Sequence, residues 1–139
     1  MGRIDPEIEE IFNSFCQFVW VQGEPLPLIY NVLDQVYTKQ GITLSVLKTL
    51  EESGLILFEK SGFVKKRFGK HARLFYFGKP TKIGFLNDMD NQLDLGCVLF
   101  TELGKKKALA SNARMNQDFY EYVIKQWYSL GFVLSSIQV

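Results

Sequence analysis

The junction at Gly54 constrains the fold more than any other stretch. Before it, ITLSVLKTLEESGLI spaces Leu44, Leu47 and Leu50 three residues apart, on one face of a helix. Thr43 stands at an N-cap position, where its hydroxyl can accept from the free N–H groups of the first turn. Gly54 supplies the left-handed residue that ends many helices. After it, FVKKRF and ARLFYF read as two antiparallel arms joined at Gly69. A short helix that stops at a glycine and runs into a hairpin predicts a winged helix-turn-helix.

Charge points to the same hairpin. The net charge of +1 conceals a segregated pattern, because residues 60 to 87 hold eight basic side chains and no acidic one. Residues 1 to 59 hold three basic and nine acidic. Lys65, Lys66, Arg67, Lys70 and Arg73, together with His71, alternate with Phe63, Phe68, Phe75 and Tyr76, as a half-buried strand pair requires. Such a wing would lay its tip along a phosphate backbone or into a minor groove. The plainer reading is a row of charges that blunts an exposed edge strand. On the outward face of the Ile42 helix, Ser45, Lys48 and Thr49 could reach a groove, although Glu51 and Glu52 beside them would repel phosphates.

The flanking segments complete an α+β reading: a helical bundle, a small antiparallel sheet and a C-terminal helix. Pro6 to Val21 reads as a first helix, with acidic residues in its first turn and a stripe of Ile8, Ile11, Phe12, Phe15, Phe18 and Val19. A second helix is expected from Leu26 or Leu28 to Thr38, because Leu28, Ile29, Val32, Leu33 and Val36 are spaced for burial. With the Ile42 helix it would form the helix-turn-helix. NDMDNQLD lacks the glycine and glutamate of a calcium loop and reads as an acidic surface loop. LGCVLF is a short strand expected to pair with the wing, and Thr101 caps a brief helix. Asn116 to Leu130 is amphipathic, with Phe119, Tyr120, Val123, Trp127 and Leu130 on one stripe, and FVLSSIQV after Gly131 is a strand-like tail.

One domain fits the 139 residues, and no apolar run approaches the roughly 20 residues of a membrane span. The start lacks the order of a secretory signal, and Cys16 and Cys97 read as buried free thiols, so a cytoplasmic protein is expected. His71 is the single histidine, and neither GxxxxGK nor GxGxxG occurs. No catalytic constellation, metal, cofactor or small-molecule substrate is therefore expected.

The phrases SFCQFVW, LPLIYNVLDQVYTKQGIT, LKTLEESGLI, FTELGKKKALAS and FYEYVIKQWYSLG together resemble the C-terminal part of an uncharacterised family of bacterial proteins, a domain of unknown function. The resemblance covers most of the chain and implies that it is a fragment of a longer protein. It carries no activity, since its motifs are hydrophobic framework. The TELGKK phrase is also similar to the strand-to-helix junction of many winged-helix regulators, which implies fold more than function.

Two function readings follow. In the first, a winged helix binds double-stranded DNA, as a transcriptional regulator would: Lys65, Lys66, Arg67, Lys70 and Arg73 grip phosphates while Ser45, Lys48 and Thr49 approach the groove. In the second, the domain is a protein-protein interaction or dimerisation module, a homodimer forming through the aromatic first and last helices. The undiluted positive run favours the first.

Overall fold

The structure, a computed structural model, describes residues 5–136. Its elements in chain order are α1 (Pro6–Phe15), β1 (Val19–Val21), β2 (Pro25–Pro27), α2 (Gln35–Thr38), α3 (Leu44–Glu52), β3 (Ile56–Phe68), β4 (His71–Tyr76), β5 (Lys79–Gly84), β6 (Asn91–Phe100), α4 (Glu102–Leu109), α5 (Gln117–Ser129) and β7 (Val133–Ser136). The end of the strand-like tail, 137–139, lies outside the described residues. Among the described residues the strands form a five-stranded antiparallel sheet in the order β2-β1-β4-β5-β7 and a separate ribbon of β3 with β6.

This architecture is α+β but sheet-dominated, and it is not a winged helix built on a helical bundle. The two arms expected to pair belong to different sheets. β3 gives its ladder to β6, from Ile56 opposite Phe100 to Phe68 opposite Asn91. β4 instead pairs with β5, from His71 opposite Gly84 to Tyr76 opposite Lys79. The tight turn of that hairpin is Phe77–Gly78, both with positive φ (48° and 79°), the backbone of a two-residue turn that matches strand twist. Gly69 does mark a change of direction, where the chain passes from ribbon to sheet. The Asn91 side-chain amide donates to the Gly69 carbonyl at 2.8 Å and holds the crossing in place.

The expected helix-turn-helix also disappears, because its first helix shrinks to the four residues of α2. Pro25 and Pro27 fall in the edge strand β2, where a missing N–H costs nothing. The backbone that follows is satisfied by a side chain: the Tyr37 hydroxyl donates to the Leu28 carbonyl at 2.6 Å and accepts from the Tyr30 N–H at 3.1 Å. Leu28 and Ile29 are buried as the spacing required, yet Leu33 is 72% exposed. The first helix likewise stops at Phe15, and Val19–Val21, two β-branched residues around a tryptophan, form β1.

Local signals did hold where they concern caps. Thr43 accepts from the Val46 N–H at 3.3 Å and Thr101 from the Gly104 N–H at 3.0 Å; the structure adds a third cap, Asn116, which accepts from the Phe119 N–H at 3.0 Å. Gly54 has a φ of 78°. LGCVLF lies in β6 and pairs with the strand that carries FVKKRF, and the visible tail, β7, adds to the sheet beside β5.

The core is aromatic. Trp20 packs on Trp127 (ring centroids 4.9 Å apart), Tyr76 and Tyr120, while Phe18 packs on Tyr37 and Phe119 at 5.0 Å each. The stripes of α1 and α5 therefore face inward. Phe12, Phe15, Phe119 and Trp127 are buried, while Tyr128 of α5 is left exposed.

Burial pushes the Tyr76 phenol up to about 12, an amide hydrogen bond from Asn116 offsetting part of the rise. Burial also raises Tyr37, and both burial and Asp34 raise Tyr122. In the unfolded chain a tyrosine titrates near 10. Their contribution to stability is thus complete below about pH 10 and is lost as pH rises towards 12, because only the unfolded chain releases the protons. The urea midpoint is expected to fall between about pH 8 and pH 11; an unchanged midpoint would contradict this.

Candidate nucleic-acid interface

The hairpin β4–β5 has two unlike faces because side chains alternate along a strand. Ala72, Leu74 and Tyr76 of β4, with Thr81 and Ile83 of β5, point into the core and are buried. His71, Arg73 and Phe75, with Pro80, Lys82 and Gly84, lie on the other face. The registers arrange that face in three rows: Val21, Phe75 and Pro80; Arg73, Lys82 and Ser135; His71, Gly84 and Val133. Phe75 is 39% exposed, Val21 38% and Val133 72%, so this side of the sheet stands open.

Electrostatically the middle row is unusual. Arg73 sits directly opposite Lys82, and like charges facing each other across a ladder destabilise a sheet. Among the described residues neither has a carboxylate within ion-pair distance. The acidic partners are elsewhere: Glu24 holds Lys105 at 2.8 Å, Glu102 holds Lys105 at 3.1 Å, and Glu9 holds Lys107 at 3.1 Å. Two uncompensated cations beside an exposed phenyl ring create a surface that attracts anions and offers a flat partner for a base.

The residues expected to bind nucleic acid are spread over α3, β3, the link after it and β4. Arg73 lies in the middle row, and Lys70 adjoins it in the link before β4. Lys65 is tied down, its ammonium donating to the Gln22 carbonyl at 3.2 Å and to the Gln22 side chain, with Glu24 at 3.9 Å. Lys66 and Arg67 are exposed at the end of β3, in the other sheet. Ser45, Lys48 and Thr49 are on α3, which packs against α1 and the start of β3, and the Thr49 hydroxyl donates to the Ser45 carbonyl at 3.1 Å. From Ile56 at that end, Lys66 is ten residues along the strand, up to about 30 Å away. The length of β3 thus lies between α3, packed at its start, and Lys66 and Arg67 near its end.

Phe75, Lys82 and Ser135 are the residues that the sequence reading missed. The alternation in HARLFY and KPTKIG around Gly78 carries their signal, since a hairpin centred there puts Arg73, Phe75 and Lys82 on one face. Lys79 takes a different role at the hairpin end, its ammonium 5.1 Å from the Tyr120 ring centroid.

A concavity of about 420 Å³ adjoins the start of α5 between Ser14, Gln17, Gln40 and Arg114. Its buried polar group is already paired: Gln17 accepts from the Asn116 amide at 2.7 Å and donates to the Ser14 carbonyl at 2.8 Å. Among the described residues no group of three or more His, Cys, Asp or Glu is placed to hold a metal ion, and no helix is long and apolar enough to cross a membrane. Compared with protein-family models, with curated proteins and with solved structures, the chain matches none.

Proposed function

We propose that the chain binds single-stranded nucleic acid across the open face of its five-stranded sheet. Arg73 and Lys82 contact phosphates, and Phe75 stacks on a base. The observation that carries this reading is the facing pair Arg73 and Lys82, without an acidic partner among the described residues, one row away from an exposed phenyl ring. Single strands suit such a face because their unstacked bases are free to lie on an aromatic ring while the backbone tracks a positive groove. Duplex DNA suits it less. A major groove is usually entered by a helix or a two-stranded ribbon; α3, the helix expected there, carries Glu51 and Glu52 next to Lys48, and the β3–β6 ribbon mixes Glu59 and Asp94 with its basic residues.

The test is anisotropy of labelled oligo(dT) and oligo(U), about 12 nucleotides long, at about 50 and 200 mM salt. Binding is expected to weaken with salt, and Arg73→Ala/Lys82→Ala should reduce the slope of log affinity against log salt by about 1.4, two contacts at about 0.7 each. Phe75→Ala should cost about 1–3 kcal/mol while leaving that slope unchanged. Tighter binding to duplex than to single strands, or indifference to all three substitutions, would overturn the reading.

A further inference from the structure

At one end of the open face the rows close into a cavity of about 330 Å³, near the lower end of the range for ligand pockets. Lys70, His71, Lys82 and Ser135 line its polar side, Phe85 and Val133 its apolar side. Gly84 forms part of the lining between His71 and Val133, its neighbours in the ladder. A Cβ at that position would lie 3.4 Å from the Val133 Cβ and 3.7 Å from the His71 Nδ1, in ordinary contact, so an alanine fits there and takes a methyl group's volume from the lining. Among the described residues no acidic side chain lines the cavity and neither lysine has an ion-pair partner.

We infer that this cavity is a phosphate-monoester site that takes the terminal phosphate of a nucleic-acid strand. The inference rests on the single-strand reading above and adds which part of the strand is read. Charge favours a monoester over an internal phosphate. A monoester carries about −1.5 to −2 at neutral pH, which two lysines balance, whereas a backbone diester carries about −1. Its three outer oxygens match the donors present: two ammonium groups, a ring N–H and a hydroxyl. Position favours a strand end. Lys82 belongs both to the cavity and to the Arg73 row, so a strand lying over that row reaches the cavity at its terminus, where Phe85 and Val133 form an apolar wall.

The test compares three oligonucleotides of one sequence, carrying a 5′-phosphate, a 3′-phosphate or hydroxyls at both ends, in competition for the full chain at about 50 mM salt. One phosphorylated form is expected to bind about tenfold tighter than the hydroxyl-ended strand, the equivalent of one charge-assisted hydrogen bond, and which form does so identifies the end recognised. Gly84→Ala, which narrows the cavity, and Lys70→Gln, an exposed change in the link that leaves the ladder intact, should each remove the preference. Equal binding of all three strands would overturn the terminal-phosphate site while leaving the sheet-face reading standing. A preference that survives both substitutions would also overturn the site, and failure of every strand to bind would overturn both proposals.

Discussion

Gly96→Ala is expected to lower the unfolding free energy by about 3 kcal/mol and the melting temperature by roughly 10 °C. Two separate causes add at this residue. Its φ is 80°, which costs an alanine about 1–2 kcal/mol. The methyl group would also have no room, standing 2.8 Å from the Ile29 carbonyl carbon and 3.0 Å from the Ile29 nitrogen, with the carbonyl oxygen closer still. Ile29 cannot easily retreat, because it is fully buried and its carbonyl accepts from the Cys97 N–H at 2.9 Å. Overpacking against such a backbone costs about 1–3 kcal/mol more. Gly23→Ala is the control: its φ is 75° with nothing within 4 Å of the added Cβ, so only the conformational cost applies. Equal losses for the two substitutions in urea unfolding would show that the close approach of β6 to Ile29 is wrong.

Trp20→Ala should cost about 3–5 kcal/mol, the usual range for deleting a large buried aromatic side chain. Trp20 has no exposed surface and joins β1 to β4 and α5 through Tyr76 at 5.2 Å, Tyr120 at 5.7 Å and Trp127 at 4.9 Å. Trp20→Phe should be much milder, for a reason specific to this site. The indole N–H of Trp20 is buried and finds no acceptor among the described residues. A buried unsatisfied donor costs about 1–3 kcal/mol, and phenylalanine removes it while keeping most of the ring contacts. The loss for Trp20→Phe is therefore expected to stay below about 1.5 kcal/mol. If both substitutions cost the same, the N–H has a partner and this account of the core is incorrect.

The contrast between these sites and the helix caps explains what the sequence made legible. A cap is settled within four residues, so Thr43 and Thr101 could be recognised without knowing the fold. Strand partners are settled by distant chain. β3 could have paired with β4 on sequence grounds, yet its ladder goes to β6, whose Asn91 side chain also secures the Gly69 carbonyl. The turn that decides β4's partner was concealed because Phe77, a bulky residue rarely found at positive φ, occupies its first position. Helical spacing misled at Leu28–Val36 for a different reason. Those apolar residues fit a period of 3.6, but two prolines and the Tyr37 hydroxyl hold the backbone extended or turned.

The candidate site was half visible for the same reason. The excess of positive charge between residues 60 and 87 was plain, but its division was not. Folding sends Lys65 to Gln22 and Glu24, leaves Lys66 and Arg67 on the ribbon, and sets only Arg73 and Lys70 near the open face. Lys82 and Phe75 join them through a register that depends on the Phe77–Gly78 turn.

The most direct test of the central claim is ultraviolet crosslinking of the full chain to oligo(dT), with the joined peptide identified by mass spectrometry. Binding across the open face predicts that the nucleotide attaches within residues 71–82, at or beside Phe75, and that Phe75→Ala removes that adduct. Crosslinks confined to α3 around Ser45–Thr49, or to Lys66 and Arg67 at the end of β3, would contradict it.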